Sequence, residues 1–142
     1  MAQLPKSDSS LLVRVARGDD AAWARLTAAV ATENDDGFRA YVEFVDAAEW
    51  HGASCDHLRG AVPHNDAGPS VLFAADEATL ASEEFPVVVI DLVEGRPEFR
   101  CIASELWAIE NNLNISNMDW EEFSGFVEAD GVYRGIPGPQ PR

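Results

Sequence analysis

Two unbroken apolar runs constrain this chain most: Val71-Leu72-Phe73-Ala74-Ala75 and Val87-Val88-Val89-Ile90. Neither alternates with polar residues, and the second is β-branched throughout. A strand wetted on one side alternates, whereas a strand apolar at every position needs cover on both faces. The two runs therefore predict an internal sheet, with these strands as its most buried members.

The neighbouring text supplies the rest of such a sheet. Ser10 to Ala16 reads as a strand, apolar at Leu11, Leu12, Val13 and Val15 and interrupted by Arg14. Gly18 breaks it, and Asp19 and Asp20 fall where a helix wants an N-cap and an acidic first turn. Trp23, Leu26 and Val30 then mark one helical face, ending near Thr32 before the turn formers Asn34-Asp35-Asp36-Gly37. Phe38 to Val45 alternates, with Tyr41, Glu43 and Val45 on one face, and predicts a second strand over 39–45. Ser54 caps a short helix through Leu58, and Asp76 caps another through Ala81. Glu94-Gly95-Arg96-Pro97 is a turn into a fifth strand, Glu98 to Ala103.

Ser104 caps the next helix, whose apolar face is Leu106, Ile109 and Leu113. Asp119-Trp120-Glu121-Glu122 has the form of a capping box, starting a helix with Trp120, Phe123 and Val127 inward. Gly131 to Arg134 is a short terminal strand. The order predicts an α/β or α+β fold: a single mixed sheet of about five strands flanked by helices. Trp23, Leu106 and Trp120 are its expected helix anchors. At 142 residues the chain reads as a single domain over 1–142, with an ordered core about 9–136, a loose N-terminal segment 1–8 and a loose tail 137–142.

Charge constrains the partners. The chain holds 25 acidic against 10 basic residues, a formal net of −15. Residues 1–18 are net +2, residues 19–60 net −6 and residues 61–142 net −11. Lys6 is the one lysine, and the arginines are scattered. No basic stripe follows a phosphate backbone, and the field repels anionic membranes. A basic protein partner fits this balance; so does a plain role in solubility. The N-terminus lacks the charged start and apolar stretch of a signal peptide, and Cys55 and Cys101 form no disulfide framework. The expected location is cytoplasmic.

Three constellations carry possible chemistry. His51, Cys55, His57 and His64 lie within fourteen residues and are donor types that zinc uses, in no standard zinc spacing. The plain reading is a solvated loop, and no stoichiometric zinc and no cofactor are expected. Asp76 and Asp91 follow the two apolar runs. Were those runs parallel neighbours, both carboxylates would emerge at one sheet edge, placed for a divalent cation or for acid–base work. The local reading makes Asp76 an N-cap and Asp91 a turn residue. The third is the stretch from Glu110 to Phe123. Glu110, Asn111, Asn112, Asn114, Asn117, Asp119, Trp120, Glu121 and Glu122 compose either a polar recognition segment, with Trp107 or Trp120 as its aromatic anchor, or a helix connection held by amide side chains. No phosphate-binding glycine loop, nucleophile elbow or zincin motif occurs.

Leu12-Val13-Arg14-Val15, Asp19-Asp20-Ala21-Ala22-Trp23 and Val71-Leu72-Phe73-Ala74-Ala75-Asp76 together carry a resemblance. So do Glu105-Leu106-Trp107-Ala108-Ile109-Glu110-Asn111-Asn112-Leu113 and Asn117-Met118-Asp119-Trp120-Glu121-Glu122-Phe123. Over roughly Ser9 to Ile136 the chain resembles an uncharacterised family of small acidic actinobacterial proteins, a domain of unknown function. The resemblance implies a single domain and no catalytic residues. The expected function is a small acidic cytoplasmic protein-interaction domain, such as an immunity or accessory protein covering a basic partner. The alternative is a small metal-dependent enzyme using Asp76 and Asp91.

Overall fold

The computed structural model describes residues 3–63 and 68–135. In chain order it forms β1 (Ser10–Arg14), α1 (Asp20–Ala31), β2 (Val42–Val45), α2 (Cys55–Ala61), β3 (Val71–Ala75), α3 (Glu77–Ala81), β4 (Val87–Asp91), β5 (Phe99–Cys101), α4 (Leu106–Asn114), α5 (Glu121–Ser124) and β6 (Val132–Tyr133). The strands make one mixed sheet in the order β2-β1-β3-β4-β5-β6. β1 runs parallel to β2 and β3, β4 is antiparallel to both its neighbours, and β6 is parallel to β5. This is an α/β fold with six strands, slightly more than the expected count of about five.

The apolar runs lack alternation because their two faces feed two cores. Phe73, Val87 and Val89 join Leu12, Trp23, Leu26, Leu80, Leu106, Ile109 and Phe123 under α1, α3, α4 and α5. Leu72, Ala74, Val88 and Ile90 join Leu11, Val13, Trp50 and Leu58 under α2. Every residue of β1, β3 and β4 is buried. Trp23, Leu106 and Trp120 are all buried, as expected of anchors. The N-terminal segment, expected to be loose, is held at Leu4, which is buried in the second core and donates its amide to Ala61 O at 2.9 Å. The tail 137–142 lies outside the described residues.

The helix starts follow local chemistry. Asp19 accepts from Ala22 N and Ser54 from His57 N. Asp76 and Thr79 form a reciprocal capping box on α3. Asp19 caps from the left-handed region (φ 59°), directly after Gly18 at φ 76°, so the chain reverses in two residues to send α1 back across the sheet.

Three expectations need correction. Residues 39–41 are not strand. The register begins at Ser10 opposite Val42, so these residues run past the start of β1, and side chains of α4 take their backbone instead. Ser104 does not cap α4; it sits inside a 3₁₀ turn, Ala103–Glu105, that leads into the helix. The 71–75 and 87–91 strands are neighbours, but antiparallel. The eleven residues between Ala75 and Val87 hold only a short helix, and a parallel crossover needs a dozen or more.

Candidate functional site

The carboxyl ends of β1, β2 and β3 open at one edge. α1 leaves toward one face and α2 toward the other, which makes this edge a topological switch point, the usual ligand crevice of open α/β sheets. Here the chain's own groups fill it. Arg14, 4% exposed, donates to Asp20 Oδ1 at 2.7 Å, to Gly18 O at 2.6 Å and to Asp46 Oδ2 at 3.3 Å. Its bond to Asp20 raises the guanidinium's affinity for its proton against the opposing effect of burial. Val15 N and Ala16 N both donate to Ala75 O, and Gly52 N donates to Val15 O. Arg17 N is taken by the Glu77 carboxylate at 2.8 Å. Gly52 stands at φ 82°, in the left-handed region that favours glycine, so a side chain at this crossing point would be strained.

Asp76 and Asp91 do not share that edge. With Val71 opposite Asp91 and Asp76 beyond the far end of β3, the two lie about 16 Å apart at the strand rise of about 3.3 Å per residue. The joint carboxylate site that parallel neighbours would have made is not formed, because β4 runs the other way. Asp76 holds Arg100 in a two-pronged pair at 3.0 and 2.7 Å while capping α3. Burial pushes its carboxyl up, but Arg100 and Thr79 outweigh that and hold it at about 2. Asp91, 2% exposed, accepts from the amides of Val93, Glu94 and Arg96 and so organises the turn after β4. Both carboxylates are thus occupied by local bonds.

The histidine stretch is dispersed. His51 Nε2 stands 3.8 Å from Asp46 Oδ1, too far for a hydrogen bond, and His57 leans on the Trp50 ring at 5.8 Å. Burial, aided by Glu98, pushes the Cys55 thiol up to about 11, so at neutral pH it stays protonated and is no thiolate nucleophile. His64 lies outside the described residues. Among the described residues, no three His, Cys, Asp or Glu groups are placed to hold a metal ion.

The asparagine-rich stretch turns inward. Glu110, 8% exposed, accepts from Tyr41 N at 2.7 Å and from the amides of Asn111 and Asn114. Asn114 bonds Ser10 Oγ and accepts from Ser70 N, so it ties α4 to the starts of β1 and β3. Asn111 donates to Trp107 O and Arg39 O, and Asn112 to Ala108 O. Asn117 donates to Asn112 Oδ1. Trp120 is 5% exposed, edge-on to Phe99 at 4.9 Å, which makes it a core anchor and removes it as a surface one. Asp119, Glu121 and Glu122 stay exposed. Glu121 pairs with Arg96 at 2.8 Å, and Glu122 accepts from Asp119 N, half of the expected capping box.

A feature the sequence did not reveal lies beside this clamp. Phe38, 49% exposed, stacks on Trp107 with centroids 4.8 Å apart and planes within 9°. Next to it Tyr41 is 50% exposed, with the Arg39 guanidinium 4.5 Å above its ring. A groove of about 310 Å³ runs here between the end of α1, the 38–40 segment and the start of α4. Alternation placed Phe38 and Tyr41 on strand faces; only the register of β1 shows that they lie beyond the sheet.

No curated protein matches the chain. The sequence pattern of a domain of unknown function (DUF6924) matches residues 9–136, and the chain belongs to that family.

Proposed function

We propose that this protein is an interaction domain that recognises a basic protein partner, acting in the bacterial cytoplasm in the manner of an immunity or accessory protein. The observation that carries this reading is how the cations are spent. Arg14, Arg59, Arg96, Arg100 and Arg134 are each held by one to three carboxylates. They act as internal staples between elements, as Arg100 does from β5 to the start of α3. Glu110 is buried and Glu105 half-buried, but other acids outside these pairs, among them Glu33, Asp35, Asp36, Asp119 and Glu122, stand exposed and set the sign of the outer field. Such a surface speeds encounter with a basic partner and disfavours acidic ones. No helix among the described residues is long and apolar enough to cross a membrane.

The test is kinetic. A partner captured from the native host with the intact protein is purified, and its association rate is followed from about 50 to about 500 mM salt, where the Debye length shrinks from about 14 to about 4 Å. The reading expects a basic partner whose association slows at least tenfold over that range. An acidic partner, or an association rate indifferent to salt, would contradict it and leave the acidity as a solubility trait.

A further inference from the structure

We infer that the groove beside Phe38 and Trp107 is the docking site for an extended, arginine-bearing segment of a partner protein. The inference rests on the reading of a basic partner and adds where that partner binds and through which side chain. Three observations converge on this groove. Its wall is aromatic and open: Phe38 is half-exposed and stacked on Trp107. Exposed aromatic clusters of this kind mark interaction sites, and aromatic rings are favoured anchors at their centres.

Its rim is acidic. Glu33 lines the groove, and Asp35 and Asp36 follow in the same exposed turn. The carboxyl end of α1 also points here, through Val30 and Thr32, and that helix carries no basic residue in its last turn. The partial negative charge of a helix end favours a cation placed against it. The third observation is a guanidinium stacked beside the groove: Arg39, one of its lining residues, lies on the ring of Tyr41 just outside it. A planar cation stacked on an aromatic face within about 6 Å, with a carboxylate in reach, is the contact arginine makes better than lysine.

An occupant in this groove would lay one guanidinium against the Phe38–Trp107 stack and toward Glu33, with a neighbouring apolar side chain against Val30 and Ala40. Nucleic acid is disfavoured, since the net charge of −15 repels phosphate.

The probe is a ten-residue peptide of alternating arginine and leucine, titrated into the intact ¹⁵N-labelled protein. The inference expects saturable shifts confined to residues 33–40, 103–105 and the Trp107 indole. It expects Phe38→Ala and Glu33→Arg each to weaken binding at least tenfold, and Glu121→Lys to change it less than twofold. It also expects the lysine–leucine peptide to bind several-fold more weakly than the arginine one. Because Phe38 and Glu33 lie at the surface, unchanged circular dichroism of both variants separates lost binding from lost folding. Binding that maps to 119–122 and is lost in Glu121→Lys would overturn the groove and leave the basic-partner reading standing. Diffuse shifts, with no variant weaker, would overturn the groove as well. No binding at all would count against both.

Discussion

Residues 33–36 and residues 110–114 are written in a similar alphabet of acids and amides, yet they face opposite ways. In the second stretch Glu110 and Asn114 are clamps: one carboxylate takes the Tyr41 amide and two asparagine amides, and one asparagine spans the starts of two strands. In the first, the acids stand in water, and just beyond them the aromatic ring of Phe38 is left half-open. Polar composition therefore does not announce a surface. What separates the two is whether neighbouring backbone needs partners. Residues 39–41 have left the sheet, and their amides and carbonyls must be met by α4. The clamp exists because the turn beside it is irregular, and the same irregularity leaves Phe38 and Tyr41 outside.

The largest expected effect tests the inward half. Trp120→Ala should lower stability by about 3–5 kcal/mol through lost burial and an unfilled cavity, whereas Phe38→Ala should cost under about 1 kcal/mol. Urea unfolding of both variants checks this, and equal losses would erase the contrast. Next comes Asn114→Ala. It strands the Ser70 amide and removes one donor from the buried Glu110 carboxylate, and should cost about 2 kcal/mol. A neutral outcome would mean that water replaces the clamp.

A smaller effect concerns acid. Asp76 is pinned as Glu110 is, and its carboxyl is held at about 2 against an ordinary 3.8. A depressed carboxylate adds stability that is complete above its unfolded value and is lost as pH falls through its folded one. Its contribution should therefore be full above about pH 4 and fade toward pH 2. In Asp76→Asn this part of the acid dependence should be missing. The same slope in the variant and the parent would show that Arg100 does not hold the group in solution. Smallest of all, Glu121→Lys should shift stability by no more than about 1 kcal/mol, because its ion pair is solvent-exposed.

Much of this fold is written in local signals. β3 and β4 were legible from unbroken apolar text, and Asp19, Ser54 and Asp76 from the preference of short oxygen-bearing side chains for helix starts. Strand direction was not legible, since an apolar strand reads alike in either sense; that hid the separation of Asp76 from Asp91. The reach of β2 was hidden too, because alternation persists through Phe38 while the partner strand begins only at Ser10. Trp107 and Trp120 carry the same letter, and the packing of Phe99 and Phe38 alone decides which is core and which is groove wall.

The most direct test of the contrast is hydrogen exchange of the intact protein with and without the arginine–leucine peptide, resolved to short segments. Exchange reports local opening, and a docked segment suppresses it where it sits. The expected result is slowing in 33–40 and 103–108, with 115–122 unchanged. Slowing confined to 115–122, with 33–40 unaffected, would contradict the assignment of the clamp to structure and the groove to recognition.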